Sequence, residues 1–222
     1  MNSPERVRWR RIAGPAATLL LILLVLPFVL YAVGRGLDFG DPDERAASRF
    51  LSGGPAADLA IYAHMALGGA LTGLAPLQLL TAGRARWRRL HRWNGRAVAV
   101  LAVLTGLGGL VYIAAQGTIG GPDMTAAFSL YGFLLLGAAV MTWRSARARA
   151  PEHPVWAGRL VILAVASWIY RLHYGIWVTA VGEVGMAPDF SGAFDRVNVW
   201  AFFLPYLLAY ELLRPRAVQA RT

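Results

Sequence analysis

The sequence predicts an all-α membrane protein, a polytopic bundle of six transmembrane helices. Three observations lead to this prediction. The 222 residues are 57% apolar and 15% charged, which is not the composition of an ordinary soluble domain. Six apolar stretches are long enough to cross a bilayer, for which about 20 residues suffice. Arginines are concentrated in every second connection between these stretches, as membrane insertion favours.

The first apolar stretch follows a basic N-terminus. Residues 1–33 are predicted to hold a cytoplasmic N-terminus and the first helix, which starts near Ile12. A cleaved signal peptide is the alternative, because Ala32, Val33 and Gly34 form a small-x-small triplet. The apolar run exceeds the usual ~7–15 residues of such a peptide, so we expect the helix to be retained.

The remaining stretches are predicted to belong to the same membrane domain, which covers residues 1–222. An acidic segment rich in Gly and Pro, residues 34–58, is typical of an exposed loop. Residues 59–181 form a core of four helices, and residues 197–222 hold the last helix and a basic tail. The predicted spans two to six cover residues 59–81, 96–115, 124–143, 156–181 and 197–213.

The arginines predict the orientation, because the cytoplasmic flanks of membrane helices retain Lys and Arg. The N-terminus, the linkers 84–96 and 144–159, and the C-terminal tail are basic, whereas the other loops are mostly acidic. Both termini are therefore predicted to be cytoplasmic, in a multi-pass protein of the inner (plasma) membrane. This topology and contact with anionic lipids explain the net charge of +10, so no nucleic-acid partner is predicted.

Cysteine is absent from the chain. Disulfides, thiolate metal sites and a cysteine nucleophile are therefore excluded.

Small residues predict close helix contacts in two spans. Gly69 and Gly73 form a G-x-x-x-G pair in span two, and Gly106, Gly108 and Gly109 lie in span three. Such residues let helix backbones approach each other in membranes. We expect these glycines to serve packing.

Two similar motifs open the third and fifth predicted spans. Residues 91–96 (HRWNGR) and 153–159 (HPVWAGR) both place His, Trp and Gly-Arg before an apolar helix, which indicates a weak internal duplication of a helical hairpin. Trp lies at the headgroup level of membranes, and Arg side chains reach it. The predicted interfacial anchors are Trp93, Arg96, Trp156 and Arg159.

These motifs belong to a larger set: His64, Gly68, Gly69, Pro76, Leu77, Gln78, Arg89, Leu90, His91, Arg92, Trp93, Gly95, Arg96, His153, Trp156, Arg159 and Arg171. On these residues the chain resembles the bacterial membrane proteins catalogued as domain of unknown function 2306. The resemblance covers roughly residues 60–175. It implies a multi-span membrane fold with histidines at helix ends, and it implies no particular activity. The chain departs from that pattern at Ala157 and Gly158, where relatives have a bulkier residue.

Two histidines are predicted at a common depth near the outer surface. At ~1.5 Å per residue, His64 lies about 8 Å and His173 about 12 Å below the outer ends of their spans. Two imidazoles on facing helices at one depth are what axial ligation of a b-type haem requires. Gly68, on the same face as His64, would leave room for a flat ring. The alternatives are hydrogen-bonded residues that bridge helices, or a small metal or substrate site.

His91 and His153 form a second predicted pair, on the cytoplasmic side. About 20 residues separate His153 from His173, which corresponds to ~30 Å along a helix. The inner pair is therefore expected at the headgroups, where haem fits less well.

Arg171 lies inside the predicted fifth span. A charge there costs at least about 2.5–3.5 kcal/mol, so we expect a partner or a water-filled cavity. Glu211 in the last span is one predicted partner, because the two side chains lie within reach along the membrane normal. Alternatively Glu211 turns to Arg214, and Arg171 binds an anion such as a haem propionate, a quinone oxygen, or a carboxylated or phosphorylated substrate.

These residues favour transmembrane electron transfer through a b-type haem in the outer half of the membrane. His64 and His173 would be the iron ligands, and the partner would be quinone or another membrane redox protein. The protein would be an enzyme only as a haem-dependent oxidoreductase, and no catalytic residue is predicted. The alternative is a non-redox protein, either a transporter of a small anion held by Arg171 or an accessory subunit whose polar groups fix the helix register.

Overall fold

The computed structural model describes residues 4–48 and 54–214, and this part of the chain is helical without strands. Five helices, α1, α3, α4, α5 and α6, are long and apolar enough to cross a membrane. The all-α prediction is therefore confirmed, and the apolar helices support a membrane protein. The helices are α1 (Pro4–Leu37), α2 (Pro42–Ala47), α3 (Pro55–Thr81), α4 (Arg88–Gln116), α5 (Gly121–Ala148), α6 (His153–Val181), α7 (Ala193–Ala201) and α8 (Leu204–Leu213).

Most long helices extend beyond their predicted ends. α1 continues to Leu37, α4 begins at Arg88 instead of residue 96, and α6 begins at His153. Arginine is a good helix former, and polar residues at a helix end can lie outside the hydrocarbon layer. Proline occupies the first turn of α3, α5, α6 and α8, where its missing N–H costs nothing. The two duplicated motifs therefore lie within the first turns of α4 and α6.

The predicted last span, residues 197–213, is a broken helix. α7 ends at Ala201 and α8 begins at Leu204, with Phe202 and Phe203 between them. Pro205 in the first turn of α8 has no N–H, and its ring would clash with the carbonyl of residue 201 in a continuous helix. Both phenylalanines are fully buried. The break therefore directs two aromatic rings into the core.

Helices α3, α4, α5 and α6 share one hydrophobic core. Its buried residues come from all four helices and from the break between α7 and α8, and include Leu71, Ala102, Leu135, Leu163 and Phe202. Two hydroxyls join these helices to α6, because Thr72 donates to the carbonyl of Ala164 at 2.8 Å and Tyr131 donates to that of Leu163 at 2.7 Å. Each buried hydroxyl is thereby satisfied.

α1 lies outside this four-helix core and packs mainly along α3, with only slight contact to α6. A Cβ on Gly69 would lie 2.9 Å from Cγ2 of Val33 and 3.1 Å from Cβ of Ala32. A Cβ on Gly73 would meet Val29 at 3.4 Å. The prediction that these two glycines form a close helix contact is confirmed, and the partner is α1.

Candidate functional site

The His64 side chain of α3 packs against α4. Its Nδ1 donates to the backbone carbonyl of Thr105 at 2.8 Å, because a carbonyl can only accept. A Cβ on Gly109 would lie 2.9 Å from this Nδ1, and one on Gly108 would lie 3.3 Å from Cβ of His64. Gly108 and Gly109, which were predicted to serve packing, therefore lie directly against the His64 side chain. Gly68 does not leave an open slot, since Cγ2 of Thr105 lies 3.3 Å from where its Cβ would be.

His173 lies between α6 and the two halves of the broken helix. Asn198 donates its side-chain N–H to the carbonyl of Tyr170 at 3.3 Å, so its oxygen faces His173 and accepts from Nδ1 at 2.7 Å. The neutral ring then accepts at Nε2 from the Tyr206 hydroxyl at 2.8 Å. Both ring nitrogens are occupied by protein partners.

The two outer histidines therefore face different helix interfaces. His64 belongs to the interface of α3 with α4, whereas His173 belongs to that of α6 with α7 and α8. Iron ligation by His173 would require it to release Tyr206 or Asn198. This arrangement does not fit the predicted haem between His64 and His173.

Arg171 has no acidic partner in the described part of the chain. Its Nη1 donates to the carbonyl of Ser167, one turn earlier, at 3.2 Å. Its guanidinium carbon lies 4.9 Å from the centre of the Phe28 ring on α1, a cation–π contact. The side chain nevertheless keeps an exposed edge.

Four further polar groups lie in the neighbourhood of Arg171 without a direct contact described above. Tyr31 of α1, Tyr131 of α5 and Tyr170 of α6 lie within electrostatic range of it. His64 of α3 also lies within that range. Of these groups, His64 and Tyr131 bond backbone carbonyls and not Arg171, and a shared site of His64 and Arg171 stays a prediction.

Glu211 corrects one prediction, because it does not bind Arg171. Its Oε1 accepts from Nε of Arg159 at 2.7 Å. Nε of Arg214 approaches Oε2 of Glu211 to 2.9 Å, although not along its N–H bond. The physical reason is that α8 ends beside the first turns of α6, which brings Glu211 to the end of the bundle where α6 begins. The alternative that Glu211 turns to Arg214 is confirmed.

The two inner histidines occupy equivalent places in two hairpins. Nδ1 of His91 lies 3.0 Å from the hydroxyl of Thr81 at the end of α3. Nδ1 of His153 lies 3.4 Å from the hydroxyl of Ser145 near the end of α5. Each histidine therefore contacts a hydroxyl of the preceding helix.

The predicted anchors also repeat a common geometry. The guanidinium carbon of Arg96 lies 5.1 Å from the centre of the Trp93 ring, and that of Arg159 lies 4.2 Å from the Trp156 ring. In each pair the Arg lies three positions after the Trp on a helix, which places the two side chains on one face. The role of these residues at the membrane interface stays a prediction.

Sequence reasoning missed a hydrogen-bond network at the outer end of α6. Asp195 is fully buried. Its Oδ1 accepts from the Tyr174 hydroxyl at 2.6 Å, and its Oδ2 accepts from the backbone N–H groups of Ala187 and Gly192 at 2.9 and 3.1 Å. The available signal was an acidic residue three positions after Gly192 at the start of a helix, a capping pattern. The network fixes the loop before α7.

No family model matches the chain, and neither a curated protein nor a solved structure matches it. The resemblance to the domain of unknown function 2306 family therefore stays a prediction. Within residues 4–48 and 54–214, no group of three or more His, Cys, Asp or Glu side chains gathers where it could hold a metal ion.

Proposed function

We propose that the protein is a multi-pass protein of the plasma membrane with six spans and both termini in the cytoplasm. The five long apolar helices support this proposal. The sixth span would be α7 and α8 together, since residues 193–213 rise ~30 Å. The alternation of basic and acidic connections supports the orientation.

We further propose that Arg171 binds the anionic head of a membrane-soluble molecule. The observation that carries this proposal is a guanidinium inside an apolar helix that pairs with no carboxylate among the described residues and keeps an exposed edge. A charge at membrane depth requires compensation, and one backbone carbonyl provides only part of it. An anion would complete the hydrogen bonds of the guanidinium fork.

The surroundings of Arg171 favour a ligand with an apolar body. Phe28 covers one face of the guanidinium, and the neighbouring surface of α1 exposes Leu24 and Tyr31. α1 barely contacts α6, so the binding position opens towards lipid between these two helices. A carboxylate or phosphate on an acyl chain would match both the charge and the apolar walls.

This proposal follows the anion-binding alternative of the sequence analysis and replaces the predicted haem between His64 and His173. Both nitrogens of His173 have partners, and His64 faces another interface. Tyr31, which is exposed on α1, would instead offer its hydroxyl to the head group. Transport of the ligand across the membrane would be a further step, which uptake into liposomes measures directly.

Thermal unfolding in detergent tests the binding proposal. Laurate, a carboxylate with a single acyl chain, should stabilise the purified protein. At ten times its Kd the gain is about 1.4 kcal/mol, which corresponds to roughly 3–6 °C in Tm for a chain of this size. The Arg171→Gln variant should lose this shift because its side chain carries no charge.

Two controls make the thermal measurement specific. Dodecanol has the same chain without the charge and should give no comparable shift. The Arg96→Gln variant removes an arginine from the inner end and should respond to laurate like the wild type. Equal shifts in wild type and Arg171→Gln would contradict the proposal.

A further inference from the structure

The connection between α3 and α4, together with the first turns of α4, is strongly basic. Residues 84–96 contain no Asp or Glu and six arginines, namely Arg84, Arg86, Arg88, Arg89, Arg92 and Arg96. All six are exposed, and none forms an ion pair with a described residue. The other basic connection differs, because its Arg159 pairs with Glu211. Basic clusters of this size beside a membrane helix are typical of contact with anionic lipid.

Two of these arginines line an open pocket, called the α4 pocket below. Arg86 and Arg89 share it with Trp87, Leu90 and Trp93, and its volume is about 480 Å³, within the range of small-molecule sites. Trp87 is half-buried, whereas Leu90 and Trp93 are exposed. The α4 pocket therefore combines two unpaired cations with apolar walls.

The opposite face of α4 fixes the residues of the pocket. Asn94 donates to the carbonyl of Leu74 at 3.0 Å, and the carbonyl of His91 accepts from Nε2 of Gln78 at 3.3 Å. At ~100° per residue, the pocket residue Trp93 points ~160° away from His91. The start of α4 is thus bonded to α3 on one face and presents the pocket outwards on the other.

The charges around the α4 pocket require an anion. The first turn of α4 contains no acidic residue, and Trp87 at its start provides no side-chain cap. Arg88 and Arg89 therefore lie at the positive end of the helix dipole, where cations are unfavourable. A phosphate group between Arg86 and Arg89 would offset this charge and accept charge-assisted hydrogen bonds from both guanidinium groups.

The aromatic rings of the pocket do not favour a cationic head group. The guanidinium carbon of Arg86 lies 5.4 Å from the centre of the Trp87 ring, and that of Arg96 lies 5.1 Å from the Trp93 ring. Each indole therefore already has a cation from the protein, and the arginines would repel a further one. A phosphoglycerol head group fits this pocket better than a phosphocholine head group.

An exposed apolar stripe leads away from the pocket along α4. Val100, Leu104 and Leu107 follow Trp93 at intervals of seven, four and three residues, which keeps them on one helix face. Val100 lies ~10 Å and Leu104 ~17 Å along the helix from Trp93, distances that an acyl chain spans. A free phosphate ion would leave this stripe without contact, whereas a phospholipid would use both the pocket and the stripe.

We propose that the α4 pocket binds the phosphate head group of an anionic phospholipid, with an acyl chain along Val100 and Leu104. The location of the pocket at the headgroup level rests on the proposed membrane topology. The pocket shares no residue with the anion position at Arg171, so this is a second binding site.

Calorimetric titration of the purified full-length protein in neutral detergent with dioctanoylphosphatidylglycerol tests the proposal. We expect saturable binding in the wild type. Binding should be at least about 10-fold weaker in the double variant Arg86→Gln with Arg89→Gln, because loss of a single charged hydrogen bond already has an effect of this size. Dioctanoylphosphatidylcholine and inorganic phosphate should each bind the wild type at least about 10-fold more weakly, since the first lacks the net charge and the second lacks the acyl chain.

Two double variants serve as controls. Arg144→Gln with Arg147→Gln removes the same charge from exposed residues of the other basic connection and should leave the Kd of the lipid unchanged. Arg86→Lys with Arg89→Lys keeps the charge but loses the guanidinium fork, so its Kd should be intermediate. The lysine variant also guards against a double glutamine variant that fails to fold, which the absence of a cooperative thermal transition would reveal.

Titrations repeated in an Arg171→Gln background separate the α4 pocket from the proposed function. The effect of the Arg86 and Arg89 substitutions should persist in that background, whether or not laurate binds at Arg171. If Arg171→Gln alone abolishes binding of the phospholipid, the lipid is held at Arg171, which overturns the α4 pocket and leaves the proposed function intact.

Three further outcomes overturn the proposal. The first is an unchanged Kd in the double variant Arg86→Gln with Arg89→Gln. The second is an equal loss of binding in Arg144→Gln with Arg147→Gln, since the attraction would then come from total charge. The third is equal affinity of the wild type for inorganic phosphate or for dioctanoylphosphatidylcholine, because the pocket would then not select an anionic phospholipid.

Discussion

At the scale of single residues, Glu211 is coupled to Arg159 and not to Arg171. The Arg159 and Glu211 side chains are 24% and 32% exposed, so their coupling should be modest, about 0.5–1 kcal/mol. The double variant Arg159→Gln with Glu211→Gln should therefore be less destabilised than the sum of its single changes. Thermal unfolding of the three variants measures this difference.

The Arg171→Gln variant is the matched comparison for the Arg159 and Glu211 variants. Combined with Glu211→Gln it should be additive within about 0.3–0.5 kcal/mol, because no contact joins the two side chains. A coupling as large as that of Arg159 would mean that Arg171 and Glu211 form the ion pair considered from the sequence.

The sequence identified the cost of Arg171 and left open whether Glu211 pairs with Arg171 or with Arg214, and the structure shows Arg214 together with Arg159. Depth along a helix can be counted from the chain, and Arg171 and Glu211 were within reach by that measure. Counting does not tell which helix faces α8, and Glu211 lies beside the first turns of α6 instead. The contact of Phe28 with Arg171 depends on helix packing in the same way.

At the scale of elements, His173 joins the two halves of the broken helix, since it bonds Asn198 of α7 and Tyr206 of α8. His173→Ala should leave the amide oxygen of Asn198, which is 1% exposed, without a donor. A buried unsatisfied group costs about 1–3 kcal/mol, or roughly 2–4 °C in Tm per kcal/mol.

Tyr206→Phe is the control for the His173→Ala variant. It removes the bond to α8 alone and keeps the bond between Nδ1 of His173 and the buried amide oxygen of Asn198. The fall in Tm should be clearly smaller than for His173→Ala. Equal falls in Tm for the two variants would contradict the prediction that the buried amide of Asn198 accounts for most of the cost.

The contact between α1 and α3 gives a second element-scale prediction. Gly69→Ala puts a Cβ 2.9 Å from Val33, and such overpacking typically costs about 1–3 kcal/mol. Gly137→Ala in α5 meets nothing within 4 Å and should be neutral or stabilising by up to ~1 kcal/mol. Thermal unfolding of both variants compares the effects, and a loss in Gly137→Ala as large as that in Gly69→Ala would contradict the contact.

Helix positions were more accessible to sequence reasoning than helix ends. The apolar runs located α1 and α3 to α6, because hydrophobic length alone determines a crossing segment. The extension of α4 back to Arg88 was missed, since arginines are equally compatible with a linker and a helix end. The break at Phe202 and Phe203 depends on how these rings pack between α5 and α6, although Pro205 indicated an interruption.

At the scale of the whole molecule, the topology can be tested by labelling, because the chain has no cysteine. In intact bacterial cells, Asp43→Cys should react with a membrane-impermeant maleimide, since it lies in a connection predicted to be periplasmic. Arg147→Cys, in an arginine-rich connection, should react only after the cells are opened. Labelling of Arg147→Cys in intact cells would contradict cytoplasmic termini.

Which helices pack against each other in the bundle was the feature that the sequence predicted least well. The glycines of α3 predicted a close contact without naming α1 as the partner. The choice of partner matters for the proposed anion position, because α1 contributes Phe28 beside Arg171.

The most direct test of an anion position at Arg171 is equilibrium binding of radiolabelled laurate to the purified protein. We expect one saturable site per chain in the wild type. Loss of a charged hydrogen bond, about 1.5–3 kcal/mol, should weaken binding roughly 10–100-fold in Arg171→Gln. An unchanged Kd in that variant would contradict the binding of an anionic head group by this arginine.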